Sequence, residues 1–507
     1  MPETLSKSKY IAGLQCPRRL WLSRHAPDLG TPPTASLLAV FDQGAEIGRR
    51  AREVFTDGVL VDQEAWEHGQ ATARTRQLMA DPNVGAIFEA AFQHAGVRVR
   101  VDVLERLAPR AWGLREVKQG SSVKDHYLDD AAVQRFVVER AGVRLRSIEI
   151  MHVDRDYVRG ADGIDWRRFY RRADVAAETA SLIPDVPARV QELLRVLAKR
   201  KAPEVEPSPH CSDPYDCEFW AHCTAAKPVD WVVGGLPGLT RERLERLRSA
   251  GIERISNIPE EFRLGPAQAR MRAAWLARGL YLEPGLAAAL RRTGPPADYL
   301  DFETAFPAIP LYAGMRPYDQ VPFQWSLHRM DATGRVLHRE FLADGRTDPR
   351  PEFARTLLAA LRHRRAPILV WSRFESNRLA DLAAPLPEHA SDLDDVRARL
   401  VDLLAIVRGH IAHPDFGGSF SLKQVAPVLA PSIGYDDLDG VSDGGEASSA
   451  LVSLALGAFE SAEEEGTLRR ALLEYCQRDT LALLEVHRAL ARLRPGPRST
   501  GQRARRV

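Results

Sequence analysis

VRVRVDVL at residues 97–104 and LREVK at residues 114–118 are the two segments that decide the fold of the first half of the chain. Their apolar and polar residues alternate in the way typical of β-strands, and we predict a strand for each. Successive side chains of a strand point to opposite faces, so Glu116 and Lys118 lie on the same side of the second strand. Both side chains can therefore face one bound group.

Helices surround these strands in the sequence. Their periodicity is clearest at Val190–Leu197, where four apolar residues share one face. Strands combined with helices predict an α/β domain over residues 1–228, which ends in a cysteine-dense loop.

The bulk composition bounds the class of protein. With 507 residues the chain is too long for one hydrophobic core, so we expect two major domains and a smaller element. A net charge of +2 excludes the strongly basic field of a histone-like protein, although an enzyme that grips a polyanion only in a cleft can be this neutral. We find no signal-peptide pattern and no long apolar stretch, so we expect a soluble, cytoplasmic protein.

Changes in composition mark further boundaries. Residues 229–296 contain short leucine-spaced helices with a tight turn at Gly251 and resemble a helix-hairpin-helix element; a connector that only buries its leucines is the alternative. Strands and helices then alternate again, which predicts a second α/β domain over residues 297–492. The Gly-, Asp- and Ser-rich segment 436–449 predicts a loop, and the basic residues 493–507 predict a disordered tail.

Acidic side chains stand at three points of the second α/β domain. Asp301 and Glu303 lie on one face of a predicted strand. Glu375 follows a second, buried strand, and Tyr475 and Asp479 share one face of a predicted helix at i, i+4 spacing. Together these residues predict a site that can hold two metal ions.

Four of the five cysteines are spaced as ligands of a metal site. Cys16 stands alone near the start, whereas Cys211, Cys217 and Cys223 follow one another with five residues between each. Four thiolates supply one ligand for each iron of a cubane cluster, so we predict a 4Fe-4S cluster. Zinc, usually held by tighter C-x2-C pairs, is the alternative. Cys476 lies in a predicted helix and is expected in the core.

The first half resembles the RecB-like nucleases with a PD-(D/E)XK core, as found in restriction-endonuclease-like folds. It is most similar to the iron-sulfur branches, AddB and the CRISPR-associated exonucleases. The resemblance is carried by Asp102 at the end of one strand, by the Glu-x-Lys of Glu116 and Lys118, by the cysteine spacing, and by LSKS at residues 5–8 and LQCPRRLW at residues 14–21.

This resemblance implies roles for five residues. Asp102 and Glu116 would bind Mg²⁺ or Mn²⁺, with Glu89 as an upstream acidic ligand. Lys118 would orient the attacking water or stabilise developing negative charge. Gln134 matches the glutamine of the family's Gln-x-x-x-Tyr motif. The cluster would tie the N-terminus to the end of the fold.

The second α/β domain resembles the DEDD exonucleases of the RNase H-like superfamily. The matching segments are Asp-Phe-Glu at 301–303, Asp-Leu at 402–403, Ser-x-Ser-Leu-Lys at 419–423 and Tyr-x-x-x-Asp at 475–479. The resemblance implies that Asp301, Glu303 and Asp479 hold two metal ions and that Tyr475 positions the attacking water. Glu375 stands where the family usually has an aspartate. The whole chain is similar to a largely uncharacterised bacterial family that joins these two domains.

We therefore predict a metal-dependent nuclease that cleaves DNA in repair, recombination or defence, with two active sites and no membrane partner. One alternative is a nucleic-acid-binding protein built on nuclease folds that have lost activity. Two departures favour it, Gly48 in place of a family histidine and Glu375, whereas the intact Asp102, Glu116 and Lys118 favour the nuclease. Val138 in place of the motif tyrosine leaves the Gln-x-x-x-Tyr motif incomplete. The other alternative is a ribonuclease, because RNase H-like folds act on both polymers.

Overall fold

The computed structural model describes residues 4–362, 365–435, 437–438 and 440–493. Contacts divide these residues into two compact units, one formed by 4–226 with 307–319 and the other by 227–306 with 320–493. Both units contain sheets and helices, so the chain has the mixed α/β character that the sequence predicts. The predicted domain limits at residues 228, 296 and 492 stay predictions, and the predicted tail lies outside the described residues after Leu493.

The first unit combines a large sheet with flanking helices. Its strands are β1 (Leu5–Ser6), β2 (Gly58–Leu60), β3 (Ala86–His94), β4 (Val97–Ala108), β5 (Ala111–Lys118), β6 (Leu145–Val153) and β7 (Tyr170–Asp174). Its helices are α1 (Lys7–Gln15), α2 (Pro17–His25), α3 (Ala35–Ala51), α4 (His68–Ala80), α5 (Asp125–Arg140), α6 (Trp166–Phe169), α7 (Ala176–Leu182), α8 (Val186–Leu197) and α9 (Trp220–Thr224).

The sheet of the first unit has the strand order β2-β3-β4-β5-β6-β7, with β1 paired to β4. Strands β3, β4 and β5 form an antiparallel meander, and β5 continues through α5 into the parallel strand β6. The predicted alternation holds along β4, where the valines from Val97 to Val103 are buried and the polar residues between them are partly exposed. Helices α4, α5 and α8 cover the buried side.

The second unit contains more helix. Its strands are β8 (Tyr281–Leu282), β9 (Ala297–Ala305), β10 (Val321–Met330), β11 (Val336–Leu342), β12 (Ile368–Val370), β13 (Leu400–Asp402) and β14 (Ile411–Ala412). Its helices are α10 (Val232–Gly235), α11 (Arg241–Ser249), α12 (Pro266–Ala277), α13 (Leu286–Ala289), α14 (Arg350–Leu361), α15 (Phe374–Ala383), α16 (Ala390–Ala398), α17 (Leu403–His410), α18 (Leu422–Leu429), α19 (Gly444–Leu456) and α20 (Ala462–Arg492).

The main sheet of this unit has the order β11-β10-β9-β12-β13, and β8 pairs with β14 in a separate ribbon. Strand β9 is antiparallel to β10 and parallel to β12. Period two divides its side chains between two layers: Phe302 packs on Phe353 of α14, whereas Tyr299 contacts His487 of α20. Asp301 and Glu303 therefore belong to the face covered by α20.

Two local predictions meet the structure differently. Gly251 adopts a φ of +67°, a left-handed conformation that ends the turn after α11, as the tight turn requires. The prediction of a loop over 436–449 is wrong from Gly444 onward, because α19 begins there with Asp443 as its N-cap. Within the described residues no helix is long and apolar enough to cross a membrane.

Candidate functional site

The carboxylates predicted from the PD-(D/E)XK resemblance meet in the first unit between neighbouring strands. Antiparallel pairing of β4 with β5 aligns Val103 with Arg115, which brings Asp102 beside Glu116. The backbone N–H of Val117 donates a 2.7 Å hydrogen bond to Oδ2 of Asp102. Glu116 is almost fully buried, at 1% exposure, so its charge must be compensated within the protein.

Helix α5 supplies two further members of this site. Lys118 Nζ lies 2.7 Å from Oε1 of Glu116 and 2.6 Å from Oδ2 of Asp130. Gln134 Nε2 donates to Oε2 of Glu116 at 2.7 Å and to Oδ1 of Asp130 at 3.1 Å. Asp130 and Gln134 are four residues apart on α5, so both face β5. Asp130 thus joins Lys118 and Gln134 in one hydrogen-bond network. Asp130 is not among the site residues predicted from the sequence.

Lys7, at the start of α1, is the second lysine of this site. Its ammonium lies 2.8 Å from Oε1 and 3.1 Å from Oε2 of Glu116, and 3.6 Å from Oδ1 of Asp102. It thus bridges the two carboxylates that the sequence assigned to a divalent cation. We call Asp102, Glu116, Asp130, Lys7 and Lys118 the first cluster.

The charges of the first cluster control its protonation. Burial raises the pKa of Asp102 to about 7, and the neighbouring charge of Glu116 adds to this. Burial acts in the same direction on Glu116, but the ammonium groups of Lys118 and Lys7 outweigh it and lower the pKa of Glu116. Glu116 is therefore the stable anion of the pair.

Glu89 faces this pair from the next strand. Pairing of β3 with β4 aligns Phe88 with Val103 and Ala90 with Val101, so Glu89 stands opposite Asp102. Its φ is +56°, a conformation that costs a non-glycine residue about 1–2 kcal/mol. The charge of Glu89 contributes to the raised pKa of Asp102. Strained backbone of this kind concentrates at functional positions.

The acidic residues predicted from the DEDD resemblance meet in the second unit, where β9 faces α20. Asp301 and Glu303 point from β9 to this helix, and Glu375 comes from the first turn of α15. Glu303, Glu375 and Asp479 are 5%, 3% and 8% exposed. We call Asp301, Glu303, Glu375 and Asp479 the second cluster. A bulge in β10, at the pairing with Thr304 and Glu303, adjoins it.

Burial and mutual repulsion both disfavour the charged forms of the second cluster, and burial is the larger effect. Burial raises the pKa of Asp301 and of Glu303 well above the usual range, and the charge of Asp479 is the next cause for both. Burial also raises the pKa of Glu375 to about 8 and that of Asp479 to about 6. Oε2 of Glu375 is buried and has no hydrogen-bond partner among the described residues. The negative charge of the ionised cluster is therefore not balanced by the protein, and a bound cation would stabilise it.

Three neighbours frame the second cluster without neutralising it. The hydroxyl of Tyr435 donates a 2.6 Å hydrogen bond to Oδ1 of Asp479. Cys476 Sγ lies 3.6 Å from Oδ2 of Asp301. The ammonium of Lys423 lies 4.7 Å from the ring centre of Tyr475, and its charge offsets only part of the rise that burial causes in the pKa of Glu303 and of Asp479.

The two clusters differ in how well they suit a divalent cation. In the first, three carboxylates face two ammonium groups, and both oxygens of Glu116 already accept hydrogen bonds. In the second, four carboxylates face one ammonium group. Within the described chain, potential ligand atoms of Asp301, Glu303 and Cys476 all lie within 4.8 Å of one another. The second cluster is therefore the better fit for Mg²⁺ or Mn²⁺, which prefer carboxylate oxygens.

The four cysteines of the predicted iron-sulfur site lie near one another in the first unit. Burial raises the pKa values of Cys211 and Cys223, and a neighbouring Cys16 acts on both in the same direction. Burial raises the pKa of Cys217 to about 11, and Cys211 adds to this. All four are free thiols.

Helices α1 and α2 hold the cysteine loop against the N-terminus. Gln15 Nε2 donates to the carbonyl oxygens of His210 and Tyr215, at 2.9 and 2.6 Å. Arg19 pairs with Glu218 at 2.9 Å. Cys16 lies between Gln15 and Arg19 in the sequence, so these contacts hold the segment around Cys16 against the loop that carries the other three cysteines.

Comparison with known proteins finds a match to one segment of the chain. A family model described as "Domain of unknown function (DUF2779)" matches residues 298–421. The match includes Asp301, Glu303 and Glu375 but ends before Lys423 and Asp479. No curated protein matches the chain.

The residues that sequence reasoning missed share one property, because each reaches its cluster only through the tertiary fold. Lys7 contacts a residue 109 positions away, and Tyr435 one 44 positions away. Lysine is scarce in this sequence, and that scarcity was a usable signal for Lys7. Asp130 stands at i, i+4 from Gln134, which is a signal too. We find no sequence signal for Tyr435.

Proposed function

We propose that the chain is a metal-dependent nuclease that hydrolyses phosphodiester bonds of DNA. The observation that carries this proposal is the second cluster, in which four carboxylates converge, three of them on buried residues, with a single lysine nearby. Isolated buried charges of this kind are costly unless a cation balances them. Perturbed carboxylates collected at one point are characteristic of a catalytic site.

Asp301, Glu303 and Asp479 would hold Mg²⁺ or Mn²⁺, and such ions lower the pKa of water and stabilise charge on a phosphoryl oxygen. The protein's own contribution is position. Tyr435 fixes the carboxylate of Asp479 through its 2.6 Å hydrogen bond. Tyr475, one helical turn before Asp479, would orient the attacking water. These features support an RNase H-like, DEDD type of site in the second unit.

The first cluster supports a second, RecB-like active site of the PD-(D/E)XK type. Lys118 lies within hydrogen-bonding distance of Glu116 and Asp130, so its ammonium is held at the edge of the carboxylate pair. There it would stabilise negative charge that develops on a phosphate. The four neighbouring thiols support the proposed 4Fe-4S cluster, with Cys16, Cys211, Cys217 and Cys223 as its ligands.

A nucleic-acid-binding protein without catalytic activity is the second candidate. Lys7 favours it, because its ammonium occupies the space between Asp102 and Glu116 and fills part of their capacity as ligands. The longer side chain of Glu375 in place of aspartate also favours it. An error of about 1 Å in the position of a catalytic group can lower a rate about a hundredfold.

Cleavage assays on matched variants test the proposal. Purified protein is incubated with labelled single-stranded DNA, duplex DNA and RNA in Mg²⁺, Mn²⁺ or EDTA. We expect cleavage of DNA that needs metal, is reduced in Lys118→Ala and in Asp301→Asn, and is lost in the double variant. Arg76→Ala, an exposed residue of α4, serves as the control.

Each other outcome has a defined meaning. Cleavage that persists unchanged in the double variant would exclude both clusters as active sites. Binding of DNA without cleavage under any metal condition would establish the second candidate. Preferential cleavage of RNA would show that the chain is a ribonuclease and not a deoxyribonuclease.

A further inference from the structure

A basic cavity adjoins the first cluster and is not used by the proposed chemistry. It has a volume of about 310 Å³ and lies between the start of α1, the strand β4 and the segment before α4. Its polar lining includes Ser6, Lys7, Lys9, His68, Arg98 and Arg100. None of the described residues that line it is acidic. The chain has only eight lysines, and two of them are here.

Local structure fixes the cations of this cavity. The short strand β1 pairs in parallel with β4 and aligns Ser6 with Arg98. Ser6 also caps α1 by accepting a 3.2 Å hydrogen bond from the N–H of Lys9, so α1 begins at the cavity. Nε of Arg98 is buried and has no hydrogen-bond partner among the described residues. A buried donor without an acceptor indicates a group missing from this place.

The other two basic side chains serve mainly as walls. The guanidinium of Arg100 donates hydrogen bonds to backbone carbonyl oxygens, including that of Gln63 at 2.7 Å. His68 Nε2 contacts the carbonyl oxygen of Phe92 at 3.1 Å, and burial lowers the pKa of this histidine. The cations available for an anion are therefore Lys7, Lys9 and Arg98.

Strand β4 connects the cavity to the carboxylates. Arg98, Arg100 and Asp102 are two residues apart and share one face of the strand, which changes from positive to negative along its length. Lys7 lies at the junction, since it lines the cavity and also contacts Glu116 at 2.8 Å. An anion in the cavity and the carboxylates of the first cluster would therefore compete for one ammonium group.

We infer that this cavity binds a phosphate group of a polynucleotide strand, and that Lys7 couples its occupancy to cation binding by Asp102 and Glu116. Arg98 and Lys9 hold the phosphate together with the N–H groups at the start of α1. When the phosphate draws the ammonium of Lys7 away, the two carboxylates lose their resident cation. They then bind a divalent cation more tightly. The choice of a polynucleotide as the source of the phosphate rests on the proposed function.

Binding measured in EDTA tests the cavity without any cleavage. Fluorescence anisotropy follows a short fluorescein-labelled single-stranded oligonucleotide bound to the full chain and to Lys9→Ala, Arg98→Ala and the control Arg76→Ala. We expect several-fold weaker binding in the first two and a salt dependence reduced by about one unit of slope for each. Unchanged affinity in both variants, or equal weakening in Arg76→Ala, would overturn the assignment.

Calorimetry with inorganic phosphate distinguishes the source of the anion. If the cavity serves a polynucleotide, inorganic phosphate binds far more weakly than the oligonucleotide, because it engages none of the neighbouring contacts. Tight binding of inorganic phosphate that depends on Lys9 and Arg98, with no effect of these residues on the oligonucleotide, would overturn the polynucleotide assignment. A chain that binds DNA through this cavity but never cleaves it would refute only the nuclease.

Electron spin resonance of free Mn²⁺ tests the coupling. Asp301→Asn combined with Glu303→Gln weakens the second cluster, so the remaining sites report on the first. In that background, we expect the oligonucleotide to increase Mn²⁺ affinity several-fold, and Lys7→Met to raise it without the oligonucleotide and to abolish the response. Weaker Mn²⁺ binding in Lys7→Met would contradict the inference. Lys7→Arg keeps the charge and should retain the response, which guards against a folding defect in Lys7→Met.

Discussion

The hydroxyl of Tyr435 donates a 2.6 Å hydrogen bond to Oδ1 of Asp479, although the two residues are 44 positions apart. Asp479 is buried on α20 among like charges, and burial raises its pKa to about 6, while this hydrogen bond acts in the opposite direction. A charged acceptor in such a place depends on its donors for orientation as well as for stability. Tyr435 is thus one of the polar groups that hold the carboxylate of Asp479, together with Tyr475.

We expect Tyr435→Phe to destabilise the metal-free protein by about 1–3 kcal/mol, because Asp479 loses a hydrogen bond in a buried position. Cleavage should fall at least several-fold, since the carboxylate is no longer held in one orientation. Urea unfolding in EDTA and initial cleavage rates in Mn²⁺ measure the two effects.

Tyr281→Phe is the matched control. The hydroxyl of Tyr281 lies 3.5 Å from Glu283 at a partly exposed position, so its removal should change stability by no more than about 0.5 kcal/mol. If both variants lose the same stability and rate, the hydrogen bond to Asp479 has no special role.

Glu375→Gln should stabilise the metal-free protein at pH 9 by about 1–2 kcal/mol. The substitution removes one of the three carboxylates of the second cluster that belong to buried residues. Oε2 of Glu375 has no hydrogen-bond partner among the described residues, so no hydrogen bond of that oxygen is lost. The same change should reduce the gain in melting temperature that Mn²⁺ gives, because the cation then balances less negative charge.

Thermal denaturation with and without Mn²⁺ measures both the stability of the metal-free protein and the gain in melting temperature from the metal. The exposed Glu388 provides the comparison, and Glu388→Gln should change neither melting temperature by more than the scatter of surface substitutions. A Glu375→Gln protein that is less stable without metal and gains as much from Mn²⁺ as the parent chain would contradict the account of the second cluster.

The sequence alone predicts a site residue's position where a local pattern determines which face of a strand the side chain occupies. Alternation along β4 and β9 predicts which faces carry Asp102, Asp301 and Glu303, and the structure has these strands. The sequence alone does not predict which residues come together from elements that are far apart in the chain. The positions of Lys7 and Tyr435 depend on how α1 and the segment after α18 pack, and no local pattern contains that information.

Helix α19 shows a different reason for failure. Its first residues are rich in glycine and serine, which have poor helix propensity and led to the prediction of a loop. Yet Ala447, Ala450, Leu451 and Leu454 are buried at the i, i+3, i+4, i+7 spacing of an amphipathic helix. Tertiary burial of this stripe outweighs the propensity of the first turn.

The proposed iron-sulfur cluster predicts the metal content of Cys217→Ser. Protein purified without oxygen should carry about four irons per chain and show the broad visible absorbance of an iron-thiolate cluster. Cys217→Ser should lose most of this iron, because Cys217 is one of four ligands.

Cys476→Ser is the control for this measurement, since the fifth cysteine lies in the second unit near Asp301. It should retain the iron of the parent protein. About one zinc per chain and no iron would show that the four cysteines form a zinc site and not an iron-sulfur cluster. Unchanged iron in Cys217→Ser would exclude Cys217 as a ligand.

His487 predicts how stability depends on pH. It is 3% exposed, and its two ring nitrogens lie 2.7 Å from the hydroxyl of Tyr299 and 2.8 Å from that of Thr293. Burial lowers its pKa to about 4, whereas the unfolded chain takes up the proton near the ordinary value of about 6.5. Stability from this residue is therefore complete above about pH 6.5 and is lost as the pH falls toward 4, by up to about 3 kcal/mol.

We expect His487→Gln to lose stability at pH 7.5 but to fall less between pH 7.5 and pH 5 than the parent chain does. Urea unfolding in EDTA at the two pH values measures the difference, and His389→Gln at a partly exposed position is the comparison. Some slope should remain in His487→Gln, because burial also lowers the pKa of His328 to about 4. An equal fall in His487→Gln and His389→Gln would mean that the folded protein protonates His487 as readily as the unfolded chain does, which its two hydroxyl partners and its burial make costly.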